Sequence, residues 1–169
     1  SLRILAAQTD PEVEVQIAAA NYSLGWLEMS DRNYEGALRY LGRIPPGKDS
    51  HAEAQNALGR CYVQLWRDRR TPDLAAKAEA AFAAFEEAAV KLPKERNLGP
   101  IAAESAVLRI ELLVETDPAK AVSLAEAYPR NYPDAAAERA HELAALQALA
   151  QAAQGNFPAS RALWEKAAQ

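Results

Sequence analysis

The stretch Leu58-Gly59-Arg60-Cys61-Tyr62 repeats a Leu-Gly pair that stands 34 residues earlier, at Leu24-Gly25. Ala81 follows Gly59 by 22 residues, and Pro93 follows Ala81 by a further 12. A fixed period of this length indicates a chain built from repeated helix pairs, because a single pair cannot bury its apolar face alone. The sequence therefore predicts a repeat architecture.

The other units show parts of the same spacing. In the first unit, Ala37 follows Gly25 by 12 residues, and the proline is displaced to Pro45-Pro46. In the third, Arg109 stands at the Gly position, and Ala121 follows it by 12 residues. The second unit departs most, because it carries about ten additional residues before its second helix. The remaining matches are Leu41 in the first unit, Phe85 in the second, Pro133 in the third, and Gly155-Asn156-Phe157, Ser160 and Trp164 in the fourth.

This pattern resembles the tetratricopeptide repeat, a unit of two antiparallel helices with Leu-Gly on the first helix, Ala on the second and Pro at the end. The resemblance implies an all-α fold, an α-solenoid of antiparallel helix pairs that form a right-handed superhelix. It divides residues 1–169 into the tail of a preceding helix and four repeats of one domain. These segments are 1–11, 12–46, 50–93, 100–133 and 134–169.

Composition supports an all-α fold independently. Alanine accounts for 39 of the 169 residues, whereas Val, Ile and Thr together account for 15. Strong helix formers therefore greatly outnumber strand formers.

Helix starts are indicated where a capping residue precedes proline, as in Asp10-Pro11, Thr71-Pro72 and Asp117-Pro118. The predicted helices span residues 2–9, 12–30, 34–43, 50–67, 72–92, 100–115, 118–128, 134–154 and 158–168.

Packing alone explains the small residues of the motif. Where two helices cross closely, Gly25, Gly59, Ala37 and Ala81 leave no large side chain between the axes. The motif therefore informs about architecture much more than about activity.

Both ends of the sequence resemble interrupted repeats. Residues 1–10 match the end of a second helix, and residues 158–169 match a second helix that exposes Leu163 and Trp164. Terminal repeats normally carry a polar capping helix, and none follows here. We expect the chain to be part of a longer array. The alternative is that self-association, or the outer faces of the terminal helices, seals the ends.

Charge and composition argue against several partners. The chain has 23 acidic and 19 basic residues, a net charge of −4 and no basic block, so it lacks the electrostatic footprint of nucleic-acid binding. No apolar run reaches the roughly 20 residues of a bilayer-spanning helix, so we expect no membrane insertion of this segment. The single cysteine, Cys61, cannot form an internal disulfide, which leaves the compartment open.

The reactive side chains predict neither an enzyme nor a metal or cofactor site. His51 and His141 lie 90 positions apart, without the spacing of paired metal ligands. Cys61 with His51 would need a cleft and an orienting group to act as a nucleophile pair, and we expect Cys61 to be a small buried helix residue. The carboxylates are scattered over predicted solvent faces, which leaves general acid–base catalysis unsupported.

The tetratricopeptide resemblance implies a concave groove lined by the first helix of each unit. The matching positions are mostly apolar, which argues against a Lys and Asn clamp on a C-terminal carboxylate and favours an apolar or amphipathic segment anchored by aromatic and Met side chains. The candidate residues are Tyr22, Trp26, Met29, Asn56, Arg60, Val63, Ile110 and Leu113, and the groove positions of the last two units also include Val114 and Leu149.

Each of these candidates has a structural alternative. An aromatic and Met stripe at helical spacing is equally typical of a core that a neighbouring helix covers. Arg60 is expected to pair with Glu53 or Asp68, or else to bind a partner's carboxylate together with Asn56. The run Arg67-Asp68-Arg69-Arg70 is interpreted as a polar loop, with a docking site for an acidic partner as the alternative.

The sequence thus predicts a non-catalytic scaffold that binds a protein or peptide partner in a concave groove. The alternative function is a structural or self-assembly module, in which copies of the chain would form a homo-oligomer. Residues 127–134, Ala-Tyr-Pro-Arg-Asn-Tyr-Pro-Asp, resemble segments of periplasmic repeat proteins of bacterial envelope assembly. That resemblance slightly favours the periplasm over the cytoplasm, and it leaves the localisation and the partner unassigned.

Overall fold

The computed structural model describes residues 11–92 and 97–168. Within these two ranges the chain is all-α, with nine helices and no strand. The all-α prediction is confirmed for this part of the chain. The helices are α1 (Pro11–Ser30), α2 (Tyr34–Leu41), α3 (His51–Arg69), α4 (Pro72–Lys91), α5 (Gly99–Thr116), α6 (Pro118–Asn131), α7 (Pro133–Ala136), α8 (Ala140–Ala153) and α9 (Phe157–Ala167).

Eight of the nine predicted helices fall within the described residues, and each overlaps a helix of the structure. The helix predicted over residues 2–9 lies outside them, as do Asp10 and Pro93. The continuous helix predicted over 134–154 is wrong, because a turn at residues 137–139 separates α7 from α8. Ala135 and Ala136 of α7 pack on the same core as Leu143 of α8, and the turn allows both helices to reach it.

The end of α6 also differs from the prediction, which placed it before Pro129. The helix continues through Pro129, although proline removes one helical hydrogen bond. Tyr128 holds this turn, since it is 1% exposed and its hydroxyl donates to the carbonyl oxygen of Ala103 at 3.3 Å. Its ring also lies 4.9 Å from that of Tyr132. Burial of Tyr128 offsets the lost hydrogen bond.

Helix starts agree in part with the predicted caps. The Asp117 cap is confirmed, because its carboxylate accepts a hydrogen bond from the Lys120 amide at 3.1 Å. Helix α4 begins at Pro72 as predicted, but Thr71 makes no side-chain cap bond. Asn33 caps α2 by accepting from the Gly36 amide at 3.1 Å. These bonds satisfy amides that have no partner within their own helix.

Helices that follow one another along the chain pack together. The most extensive contacts join α1 to α2, α3 to α4, α5 to α6 and α8 to α9, and the short connections make such pairs antiparallel. Further contacts join α2 to α3, α4 to α5 and α6 to α8. On one side, α3 touches α1 and α5, and α5 touches α8. Among the described residues, packing thus follows chain order from α1 to α9.

The structure confirms that the two motif glycines allow close helix approach. A Cβ added to Gly25 would lie 2.6 Å from the side chain of Leu41, and one added to Gly59 would lie 2.7 Å from the ring of Phe82. Both distances are too short for van der Waals contact in a close-packed interior. Gly25 thus lets α1 approach α2, and Gly59 lets α3 approach α4.

The core is continuous across the helix pairs. Leu112 of α5 packs in one cluster with Val63 and Trp66 of α3 and with Phe82 of α4.

Within the described ranges, no helix combines the length and the apolar character that crossing a bilayer requires.

Candidate functional site

A groove of about 660 Å³ lies where α3, α5 and α8 meet. We call it the α3–α5–α8 groove. Its side chains come from all three helices and include Trp66, Arg67, Arg70, Val114, Leu146 and Leu149. Each of these helices is the first helix of a unit in the repeat pattern, so the groove lies on the surface for which the sequence predicts ligand contacts.

The groove takes apolar side chains from all three helices, including Val63 and Trp66 of α3. Leu149 of α8 is 46% exposed, whereas Leu146 and Val114 are half-buried and pack against the core. An exposed leucine beside partly covered apolar side chains gains burial when a ligand covers it. The structure therefore brings together three predicted groove positions, Val63, Val114 and Leu149.

Three ion pairs connect α3 and the following Arg70 to α5, and those of Arg67 and Arg70 line the groove. Arg60 contacts Glu104 at 3.2 Å, Arg67 contacts Glu111 at 3.1 Å, and Arg70 contacts Glu115. The expectation that Arg60 pairs with Glu53 or Asp68 is therefore wrong. Spacings of three, four and seven residues place the charges on one face of each helix, which is why the pairs align.

Residues 67–69 are not a loop, because α3 continues to Arg69. Arg69 pairs with Glu35 of α2, and the guanidinium of Arg70 also stacks 4.5 Å from the centroid of the Trp66 ring. Each of the three arginines in this run therefore pairs with a carboxylate of another helix of the same chain. Exposed pairs of this kind add little stability, and their side chains exchange partners readily.

Three of the predicted anchors, Tyr22, Trp26 and Met29, lie on α1. The rings of Tyr22 and Trp26 meet edge to face with centroids 6.3 Å apart, and Trp26 is 43% exposed. Tyr22 and Met29 are half-buried and pack against the core cluster of α1, α2 and α3. Of these three residues, Trp26 offers the most accessible apolar surface. None of them lines the α3–α5–α8 groove.

Three other candidates are core residues. Val63, Ile110 and Leu113 are 3%, 1% and 4% exposed. Val63 packs among residues of α3, α4 and α5, while Ile110 and Leu113 pack among residues of α5, α6 and α8. Neighbouring helices cover Ile110 and Leu113, whereas Val63 also lines the α3–α5–α8 groove. That these side chains contact a ligand stays a prediction.

Asn56 is also buried, at 6% exposure, and it joins α3 to α5. It shares a hydrogen bond with Ser105, with 2.6 Å between the amide oxygen of Asn56 and the hydroxyl oxygen of Ser105. The Ser105 hydroxyl also lies 2.7 Å from the carbonyl oxygen of Ile101. The Ser105 hydroxyl has one proton, so it can donate to only one of these two oxygens. When it donates to the Ile101 carbonyl, the Asn56 amide must be turned so that its nitrogen donates to Ser105. The Asn56 side chain is therefore buried and bonded to Ser105, and its contact with a ligand stays a prediction.

The strongest electrostatic feature is a buried cluster between α4 and α5. Arg109 forms a bidentate pair with Glu79 through contacts of 2.8 Å and 2.6 Å, and it contacts Glu86 at 2.6 Å. Lys120 also contacts Glu79 at 2.5 Å. Burial alone would raise the pKa of Glu79, but the hydrogen bonds and charges of Arg109 and Lys120 outweigh it and lower that pKa. All these charges compensate one another, which identifies the cluster as a structural pair network.

Of the reactive groups named from the sequence, Cys61 is buried and the two histidines contact backbone carbonyl oxygens. Cys61 is fully buried, as predicted, and burial raises the pKa of its thiol to about 12, which suppresses the nucleophilic thiolate. A ring nitrogen of His51 lies 3.3 Å from the carbonyl oxygen of Ile44, and one of His141 lies 2.9 Å from that of Ala167. In the described part of the chain, no three His, Cys, Asp or Glu residues are grouped to hold a metal ion.

Sequence reasoning missed the acidic side of the α3–α5 contact. Glu104, Glu111 and Glu115 recur on α5 with nearly the spacing of the arginines on α3, and that matching periodicity is a usable signal. Leu146 was also missed, because it does not occupy a motif position.

Among known proteins, no family model matches the chain, and no curated protein matches it.

Proposed function

We propose that this chain is a non-catalytic scaffold of tetratricopeptide type, an α-solenoid whose α3–α5–α8 groove binds an apolar or amphipathic peptide segment. The observation that carries the proposal is Leu149, 46% exposed within a groove of about 660 Å³. The contacts of α1 with α3, α3 with α5 and α5 with α8 support a shared inner face of first helices.

The chemistry of the groove defines its ligand. Leu146, Leu149 and Val114 supply an apolar floor, and the pairs Arg67–Glu111 and Arg70–Glu115 supply a polar rim. A segment with one or two large apolar side chains flanked by polar residues matches this arrangement. Because the rim charges are paired within the chain, the ligand gains affinity mainly from apolar burial.

A rigid receptor limits the entropy lost on binding. The core cluster of Val63, Trp66 and Leu112 joins α3 to α5, and the cluster of Leu113 and Leu143 joins α5 to α8, so few receptor groups need to be ordered. The exposed Trp26 ring extends the proposed surface onto α1, which touches α3. Tyr22 meets that ring edge to face, and Met29 packs against the core.

A displayed library of short random peptides tests the proposal directly. Selected peptides are expected to bind wild type and to bind the Leu149→Asp variant about tenfold or more weakly, because burying one leucine is worth about 1.5–3 kcal/mol. Isothermal titration calorimetry measures the two affinities, and circular dichroism verifies that the variant is folded.

The matched control is Val15→Asp, which changes a 50% exposed valine of α1 that does not line the groove. We expect this variant to bind the selected peptides as wild type does. Peptides that bind all three proteins equally, or a selection that enriches none, would refute the groove as the binding site.

A further inference from the structure

Two grooves of the chain meet at the side chain of Arg70. Besides the α3–α5–α8 groove, a second groove of about 590 Å³ lies between the C-terminal ends of α3 and α5 and the N-terminal halves of α4 and α6. We call it the α4–α6 groove. Trp66, Arg70 and Glu115 line both grooves. These three residues therefore form the boundary between them.

Arg70 is held at this boundary by its backbone and by its side chain. It follows the last residue of α3 in a left-handed conformation with a φ of 53°, and its amide donates to the carbonyl oxygen of Trp66 at 2.7 Å. Its guanidinium lies 4.5 Å from the centroid of the Trp66 ring and pairs with Glu115. An aromatic face and a carboxylate both attract a cation. The chain itself thus shows that a guanidinium fits this position.

The contacts that hold the Arg70 side chain can exchange. The side chains of Arg70 and Glu115 are 55% and 54% exposed. An ion pair at such a site adds little stability, because water competes for both charges. Arg70 can therefore leave the ring without leaving a buried charge behind. Its departure would uncover the face of Trp66, which is 7% exposed with Arg70 in place.

The carboxylates beside the ring favour a cation as the replacement. When Arg70 leaves, Glu115 loses the cation with which it pairs. Asp117 lines the α4–α6 groove, and among the described residues its carboxylate accepts only a backbone hydrogen bond, from the Lys120 amide. An incoming cation therefore meets two carboxylates, whereas an incoming anion would compete with Glu115 for Arg70. The other charged side chains of the two grooves keep partners of opposite charge, in the pairs Arg67–Glu111 and Lys120–Glu79.

We propose that the Trp66 ring and the Glu115 carboxylate form a cation subsite, which Arg70 occupies in the free chain and which a Lys or Arg side chain of the bound peptide takes over. Asp117 adds a second carboxylate on the side of the α4–α6 groove. This proposal rests on the proposed function, because the peptide is the one whose apolar side chains contact Leu149.

Arg70 acts in this site as an internal competitor. Because it is tethered beside the ring, its effective concentration is on the order of millimolar, and a free cation displaces it poorly. A basic side chain on a peptide whose apolar residues already lie in the α3–α5–α8 groove is tethered in the same way. The subsite therefore selects apolar segments that carry a basic residue next to their apolar anchor.

A small cation tests the subsite without any peptide. Arg70→Gly removes the competing side chain at a position whose left-handed backbone glycine adopts readily, so we expect this variant to fold. The probe is methylguanidinium, and its control is methylurea, which has a similar shape and no charge. The indole N–H signal of Trp66 in a proton–nitrogen correlation NMR spectrum reports binding. Trp26→Phe and Trp164→Phe identify the other two indole signals.

Half of the shift of the Trp66 signal is expected at a methylguanidinium concentration about fivefold lower in Arg70→Gly than in wild type, because the cation–π contact and the ion pair become available to the probe. Methylurea is expected to cause no shift. Adding Glu115→Gln to Arg70→Gly is expected to weaken methylguanidinium binding about threefold. Equal responses of wild type and Arg70→Gly, or equal responses to the two probes, overturn the proposal.

The matched control is Arg69→Ala. Arg69 is 52% exposed, pairs with Glu35, and lines neither groove. Its removal takes away the same charge one residue earlier, so this variant is expected to respond to methylguanidinium as wild type does. A gain as large as that of Arg70→Gly would show that the net charge of the chain, and not the subsite, determines the response.

Peptides extend the test to the ligand. A selection on Arg70→Gly is expected to enrich Lys or Arg beside the apolar residues, and a selection without this enrichment overturns the proposal. Each arginine of a selected peptide is then replaced by citrulline, its neutral isostere. Arg70→Gly is expected to prefer the arginine form about fivefold, and wild type less, because Arg70 competes for the subsite. Isothermal titration calorimetry measures the affinities.

The outcomes separate this proposal from the proposed function. If methylguanidinium binds as expected but no peptide is selected, the cation subsite is supported and the proposed function fails. If peptides bind in the groove and neither Arg70→Gly nor citrulline changes their affinity, the proposed function stands and the cation subsite is wrong. Selected peptides rich in Asp or Glu that lose affinity in Arg70→Gly would show that Arg70 binds carboxylates of the ligand, which also overturns the proposal.

Discussion

Arg109 occupies the position at which two other units carry the glycines Gly25 and Gly59. A large charged residue fits there because α4 supplies two carboxylates, Glu79 and Glu86, to the guanidinium. The Arg109 side chain is 9% exposed, so its removal leaves two partly buried carboxylates without their shared cation. At this single position, buried ion pairs hold α5 against α4, whereas in the other two units the glycine allows the two helices to approach closely.

We predict that Arg109→Met destabilises the fold by about 3 kcal/mol, the lower end of what breaking a buried ion pair costs. Chemical denaturation followed by circular dichroism measures the change. The control is Lys91→Met, which breaks the exposed Lys91–Glu87 pair and is expected to cost less than about 0.5 kcal/mol. Equal costs for the two variants would show that the buried cluster has no special role.

The pH dependence of stability distinguishes the buried cluster from a packing effect. Because the folded-state pKa of Glu79 lies below its ordinary value of 4.5, the unfolded chain binds more protons in acid. The stability contributed by ionised Glu79 is present above pH 4.5 and is lost as the pH falls through the lowered pKa. In Arg109→Met this loss is expected to be shallower. A variant that followed the wild-type pH profile would contradict this account of the pair.

At the scale of a helix, close approach depends on Gly59. A Cβ there would lie 2.7 Å from the Phe82 ring, which is itself fully buried and cannot move aside. Alanine favours helix by about 1 kcal/mol over glycine, but overpacking a filled core costs about 1–3 kcal/mol. We therefore predict that Gly59→Ala lowers the free energy of unfolding. Urea denaturation measures it.

The control for this prediction is Gly99→Ala, at the first residue of α5. No heavy atom lies within 4 Å of a Cβ added there, so we expect the free energy of unfolding to stay the same or to rise slightly. A Gly59→Ala protein that is as stable as Gly99→Ala would refute the close-approach explanation of the motif.

Helices and small motif residues were predictable from sequence because they depend on local spacing. Asp117 capped its helix as predicted, and Gly25 faced Leu41 of its own unit. The candidate site was less predictable, since Ile110 and Leu113 occupy groove positions in the repeat pattern and yet are buried by other helices. The exposure of a side chain depends on crossing angles between units, which spacing along one helix does not define.

At the scale of the whole molecule, the α3–α5–α8 groove and the exposed apolar side chains of α1 are separate surfaces. The groove is lined by side chains such as Leu149, whereas Leu24 and Leu27 are exposed on α1. In the described part of the chain, α1 contacts α2 and α3 and does not line the groove. A change on one surface can reach the other only through the packed helices between them.

We therefore predict that peptide binding depends on the groove and not on the exposed leucines of α1. Leu149→Asp is expected to lose peptide binding, whereas Leu27→Glu, which changes a 59% exposed leucine, is expected to bind the selected peptides with wild-type affinity. The reason is that mutations without shared partners act independently. Calorimetry measures both affinities, and circular dichroism verifies that both variants are folded. If Leu27→Glu also lost peptide binding while folded, the peptide site would extend onto this face of α1, and the groove alone would not define it.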